Sequence, residues 1–184
     1  MIAKYHIVNI FSMMLHQQTD RSALEVEMMS EDADRLMATV SRAAGRELDP
    51  EVWEDRQIMN HGCQILNRIG YGPQFDYDID IYGPFSFDLM DAFERKGIVC
   101  PDDPCIESDC VESLFVLLSE GVDFLMAYNT LLEAYRLSPH YSHRDVKDWI
   151  VGNEPQYKAH FDRAFDWIET HRETSSDNGQ KAIR

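Results

Sequence analysis

The chain lacks any apolar run approaching the roughly 20 residues that span a bilayer. Its start, MIAKYHIVNIFSMML, is interrupted by His6, Asn9 and Ser12 and leads to no clean small-residue cleavage site, so no export signal is read there. Basic residues are scarce: 17 Lys and Arg stand against 33 Asp and Glu, a net charge of −16. A protein that coats phosphate backbones needs a basic face, and so does one that docks on anionic headgroups. Neither nucleic acid nor a membrane is therefore expected as a direct partner. A Gly-rich phosphate loop, HExxH and GxSxG are all missing, and no nucleophile has an evident base. The expectation is a protein that is not an enzyme and carries no cofactor. Cysteine is limited to Cys63, Cys100, Cys105 and Cys110. Without an export signal the expected compartment is the reducing cytoplasm, with these residues as thiols.

What is present suits one domain: 184 residues, 44% apolar and 11% aromatic, enough to bury a core without disulfides or metals. The acid is uneven. Residues 1–50 carry 5 basic and 8 acidic side chains, residues 51–110 carry 4 and 13, and residues 111–184 carry 8 and 12. The acidic middle third is either a solvated surface that aids solubility or a patch that meets a basic partner and speeds their encounter.

Apolar spacing predicts helices over Ile2 to about Gln18, about Ala23 to Ala44 with Gly45 as the stop, and Pro50 to about Ile69. Asp49 is expected to cap the third, whose buried side includes Val52, Trp53, Ile58, Met59, Ile65, Leu66 and Ile69. From Phe75 to Tyr82 apolar and acidic residues alternate, the period of a half-buried strand. Asp76, Asp78 and Asp80 then share a solvent face while Tyr77, Ile79 and Ile81 point inward, and Gly83-Pro84 ends the strand. A helix follows from near Ser86 to Lys96-Gly97, with Phe87, Leu89, Met90 and Phe93 as its apolar residues. Ile98–Asp109 reads as a loop opening on a short strand at Ile98–Val99. Further helices are expected at about 110–119, 122–137, 143–151 and 155–172, and Ser142 is a good cap for the third of them. The fold class is mainly α: a single compact helical domain over 1–173 with a small β element near 75–82. Residues 1–49 form a helical extension of it, and residues 174–184 a disordered tail.

The stretch FDYDIDIYGPFSFDL, Phe75–Leu89, is the most specific signal in the chain. Its Tyr82-Gly83-Pro84-Phe85-Ser86 turn resembles the YwgA-type family of small bacterial and archaeal proteins and, more distantly, the Panacea (SocA-like) domains of antitoxins. There the turn follows a helix bearing Arg-x-x-Leu-Gln-Lys. The matching positions here are Arg56, Met59, Asn60 and His61, of which Arg56 is kept and Met59 is conservative, while Asn60 and His61 replace Gln and Lys. The likeness runs over roughly 50–170. The Panacea resemblance implies a binding protein that neutralises a toxin rather than an enzyme. Independently of any family, Gly83 permits a backbone angle that other residues avoid, Pro84 fixes its own φ, and Ser86 can cap a helix.

Other constellations are weaker. Cys100, Cys105 and Cys110, with His61 and Cys63 upstream, offer ligand types that zinc takes, but two successive gaps of four residues make no standard knuckle. A metal-dependent enzyme or zinc module on that loop is the rival reading. His140 and His143, near Asp145, straddle an expected helix start and read as polar residues there. Carboxylates on one strand face lie about 7 Å apart, too far for one ion without other ligands. Of the aromatics Tyr71, Phe75, Tyr77, Tyr82, Phe85 and Phe87, most are expected in the core and the remainder as interface anchors. The residues expected to meet a partner are Asp76, Asp78, Asp80, Tyr82, Phe85, Asp88 and Asp91. The partner is a protein with a basic surface, bound and inhibited in the manner of an antitoxin or a phage anti-defence protein, with rows of carboxylates able to occupy a groove meant for phosphates. Nothing in the sequence sets the oligomeric state.

Overall fold

A computed structural model describes residues 23–80, 83–106 and 108–179, with the side chains of 23–29, 80, 108, 110 and 172–179 outside the description. The helix expected over Ile2 to Gln18 lies outside the described residues. Seven α-helices and one small hairpin are described: α1 (Ala23–Ala44), α2 (Trp53–Arg68), β1 (Asp78–Asp80), β2 (Gly83–Phe85), α3 (Phe87–Lys96), α4 (Ser108–Leu118), α5 (Val122–Leu137), α6 (His143–Asn153) and α7 (Lys158–Gly179). A 3-10 turn, Pro155–Tyr157, leads into α7. The mainly-α class expected from the sequence is the observed one. No described helix is long and apolar enough to cross a membrane.

The core sits around α1, α2 and α5. Helix α1 packs on α4 and α2, α2 on α5, and α5 along α7. Leu36, Met37, Val40, Met59, Leu66, Leu89, Phe93, Leu114, Phe124, Leu125 and Leu131 are sealed within it. Helices α1 and α2 cross so closely that a Cβ at Gly62 would come within 2.7 Å of Val40 Cγ1, so a glycine stands where they meet. Two buried hydroxyls of α1 serve neighbouring backbone. Ser41 donates to the Val99 carbonyl at 2.9 Å, and Thr39 accepts from Ile106 N at 2.9 Å. Val99 also forms an isolated bridge with Leu48, where a short strand at Ile98–Val99 was expected.

The boundaries follow cap chemistry. Ser86 Oγ accepts from Leu89 N to open α3, and Ser142 Oγ accepts from Asp145 N to open α6. Helix α2 departs from expectation. It begins at Trp53 with Val52 in the cap position and no side-chain cap. Asp49 instead closes a turn, its Oδ1 accepting from Glu51 N at 2.9 Å, while Asp49 N donates to Asp55 Oδ2 in the first turn of α2. Val52, Trp53 and Ile69, expected on the buried side, are exposed because they lie at the two ends of the helix, beyond its covering neighbours. Helix α7 continues to Gly179, past residue 174 where the tail was expected to begin. Residues 180–184 lie outside the described residues.

The β element differs most. Alternation over 75–82 predicts a single strand stopped by Gly83-Pro84, whereas among the described residues of that stretch only Asp78–Asp80 is strand. Gly83-Pro84-Phe85 is the return strand, antiparallel, with Asp78 opposite Phe85, Ile79 opposite Pro84 and Asp80 opposite Gly83. Proline is tolerated because both strands of a two-stranded sheet are edges. Asp76 and Asp78 face solvent as expected and Tyr77 is partly buried, but Ile79 is 41% exposed. It does not point into a core because a sheet of two strands has a face that no second layer covers. Ile81 and Tyr82 lie outside the described residues.

Gly83 adopts φ +91°, and a Cβ there would meet Thr130 Oγ1 at 2.7 Å and the Met126 carbonyl oxygen at 3.4 Å. The hairpin thus lies backbone-first on α5. Gly83→Ala is expected to lower stability by about 1–3 kcal/mol through left-handed strain and this contact. Chemical denaturation measures it, and an unchanged midpoint would show that the hairpin is not seated on α5.

Candidate functional site

The site is the acidic corner built by residues 71–91 and the groove beneath it. Two asparagines of α2, seven residues apart on one helical face, hold the two ends of the loop and hairpin. Asn67 Nδ2 donates to the carbonyls of Tyr71 and Pro73, each at 2.8 Å. Its Oδ1 accepts from the Tyr77 hydroxyl at 3.1 Å and, at 3.5 Å, from Phe75 N. Asn60 Nδ2 donates to the Pro84 carbonyl at 2.8 Å, and its Oδ1 accepts from Ser86 N at 3.1 Å. Both residues are buried, so each amide substitutes for water that the loop backbone has lost. Burial pushes the Tyr77 phenol well above its ordinary pKa, which keeps it the donor to Asn67.

Of the expected partner-binding residues, Asp78 and Phe85 are brought together in the hairpin, and Asp88 and Asp91 lie on the helix that follows. Register places Asp78 opposite Phe85 on one face of the hairpin. The Phe85 ring meets that of Phe87 edge-on, centroids 5.2 Å apart. Phe87 is 66% exposed, so it is one of the aromatics of this stretch that lie outside the core. As the first residue of α3 it precedes the inward turn of Leu89, Met90 and Phe93. Asp91 lies one turn on from Phe87 along α3, and Asp88 beside it. Asp76, Asp78, Asp88 and Asp91 are exposed, and none is in an ion pair among the described residues. Asp80 is in β1, its side chain outside the description, and Tyr82 lies outside the described residues altogether.

Behind Asp76 and Asp78 runs a groove of about 770 Å³ between the 74–78 segment, α2 and α5. Across it, Glu133 of α5 binds two guanidiniums: Arg68 donates to Oε2 at 2.8 Å, and Arg136 Nε to Oε1 at 2.9 Å. Burial alone would raise the Glu133 pKa, but the hydrogen bonds and charges of Arg136 and Arg68 outweigh it and the carboxyl lies below its ordinary value.

The residues that sequence reasoning missed are the buried amides of α2. Gln57, Asn60, Gln64 and Asn67 recur at three- and four-residue steps, which resembles a solvated face, yet all four are buried. Their signal was that this stripe carries uncharged amides where an exposed helix commonly carries Lys or Glu. His61 lies beside them, fully buried on the seam with α5, where Asn129 Nδ2 donates to its carbonyl at 3.2 Å. Neither ring nitrogen has a hydrogen-bond partner among the described residues.

The cysteine loop is organised differently. Arg42 of α1 reaches into it, donating to the carbonyls of Pro101 and Asp103 and to Cys105 Sγ. Cys100 Sγ instead meets Glu47 at 3.5 Å, and Cys63 is buried apart in the core. Among the described residues no three His, Cys, Asp or Glu side chains converge as a metal site. His143 stacks on Tyr135, with centroids 3.9 Å apart, and bonds Glu169 at 2.8 Å.

No protein-family model matches the chain, and neither a curated protein nor a solved structure matches it.

Burial lowers the His61 pKa from 6.5 to about 4. The unfolded chain then binds the extra proton between pH 6.5 and 4, so stability falls as pH drops through that window. The loss from this one group is up to about 3 kcal/mol. Denaturation at pH 7, 5.5 and 4 is expected to show a slope that His61→Leu flattens. The same slope in both proteins would place the proton uptake elsewhere.

Proposed function

We propose that the protein is a non-catalytic interaction protein whose acidic-aromatic corner docks on the basic surface of a protein target and inhibits it. The observation that carries this reading is the edge contact of Phe85 with Phe87, with exposed Asp78 opposite Phe85 and exposed Asp88 and Asp91 on the helix that Phe87 opens. An aromatic pair beside charged groups is the anatomy of a specific interface. The rings supply desolvated area, and the rim steers and selects by sign. The net charge of −16 adds a long-range field of the same sign. Carboxylates with no ion pair among the described residues lose none of those partners when they turn to a cationic one.

The reading accommodates an antitoxin and a phage anti-defence inhibitor alike. In either role the acidic corner would enter a basic groove of the target and compete with the phosphates for which that groove is built. The resemblance to Panacea-type domains, carried by the sequence motif Tyr82-Gly83-Pro84-Phe85-Ser86, points the same way. Cytoplasmic placement belongs to the same proposal.

Affinity capture from the native cells tests it, with wild type compared against Phe87→Ala/Asp91→Asn. The expected result is a basic protein retained by wild type and lost by the variant at least about tenfold. Its association rate with wild type should fall steeply as salt rises. Identical captured sets, or a rate indifferent to salt, would contradict the reading.

A further inference from the structure

The groove behind the hairpin shares Asp76 and Asp78 with the docking face and adds chemistry of its own. Most of its hydrogen-bond donors are engaged internally. Both Asn67 amide hydrogens serve the 71–73 backbone, the Tyr77 hydroxyl serves Asn67, and Gln74 Nε2 serves the Asn67 carbonyl. Arg68 and Arg136 are turned onto Glu133. The capacity left over accepts hydrogen bonds. Gln64 is 2% exposed, lines the groove, and its Oε1 has no hydrogen-bond partner among the described residues. Asp76 and Asp78 stand on the opposite wall, beside the rings of Phe75 and Tyr77. Three carboxylates line the groove against two guanidiniums, so an anion is repelled on balance.

We infer that this groove takes the side chain of an arginine presented by the protein target, an inference that rests on the docking reading above. A guanidinium supplies what the walls lack. It has several N–H donors in one plane, a permanent positive charge for Asp76 and Asp78, and a flat face that stacks on an aromatic ring. The groove's volume suits one long side chain with its flanking backbone. Lysine fits less well, since its ammonium is strongly hydrated and has no planar face. The arginine would be the anchor, seated in the groove while Phe85 and Phe87 cover the adjoining surface.

The probe is N-acetyl-L-argininamide, titrated into the full chain and followed by amide NMR shifts. Saturable shifts are expected at the Gln64 side-chain amide and the Tyr77 and Asp78 backbone amides. Affinity should fall at least about fivefold in Asp76→Asn/Asp78→Asn, a surface change that leaves folding intact, and similarly in Gln64→Leu. The lysine analogue should bind several-fold more weakly, and inorganic phosphate should give no saturable shift at these residues. Phe87→Ala/Asp91→Asn, which leaves the groove lining intact, should bind argininamide as wild type does. The proposal is overturned if argininamide gives no saturable shifts, if Asp76→Asn/Asp78→Asn binds it unchanged, or if phosphate shifts the same residues instead. Capture of a basic target without argininamide binding would sink the groove alone. Argininamide binding without any captured target would sink the docking reading and leave the groove standing.

Discussion

Two side-chain amides hold the acidic corner in place. Asn67 satisfies the backbone of the loop that leaves α2, and Asn60 satisfies the hairpin where it enters α3. The described residues of 71–86 have little secondary structure of their own, with one three-residue pairing between β1 and β2. An isolated hairpin of that size is not stable in water. Its backbone groups need partners on the face that meets the bundle, and side chains of α2 provide them. Each lost amide would strand buried donors and acceptors at a cost of about 1–3 kcal/mol, which exceeds what so short a ladder returns.

This constraint accounts for the unusual interior of α2. A helix that must present amides to a loop cannot fill that face with leucine. Its neighbours therefore meet it with polar groups: Asn129 bonds the His61 carbonyl, and Glu133 takes Arg68. The apolar core lies on the other side, through Met59, Cys63 and Leu66 toward α1. His61 sits where the two regimes meet, and burial of a ring with no hydrogen bond among the described residues lowers its pKa. The same division leaves a groove between α5 and the clamped segment, because a wall held by hydrogen bonds does not collapse as an apolar one would.

Much of the fold was legible in the sequence, because local chemistry marks it. Helix α5 runs from Val122 to Leu137 as expected, bounded by Gly121 and by Ser138-Pro139, and α3 and α6 begin after the serines that cap them. Gly83 has the positive φ that its place in the turn suggested. What was not legible depends on partners distant in the chain. The Asn60–Gln64–Asn67 stripe has the spacing of a wet face, and only α5 and the hairpin, together, make it an interior one. The alternation over 75–82 is real, yet period two does not say where a strand turns back, and Gly83-Pro84 proved to be the return strand. Of the site, the exposure of Asp76, Asp78, Asp88 and Asp91 could be read in advance. The groove lined by Arg68 and Glu133 could not, since it joins elements far apart in the chain, and the contact of Phe85 with Phe87 depends on the bend between β2 and α3.

The functional reading depends on the clamp, because a loose segment would scatter the carboxylates and part the two phenylalanines. Amide hydrogen exchange on Asn60→Ala and Asn67→Ala tests that dependence most directly. The account predicts that exchange across residues 74–86 accelerates by about an order of magnitude or more in each variant, as a local opening would, while amides of α5 and α7 keep their protection. Unchanged protection across 74–86 in both variants would mean that the segment holds its shape without the asparagines, and the account would be wrong.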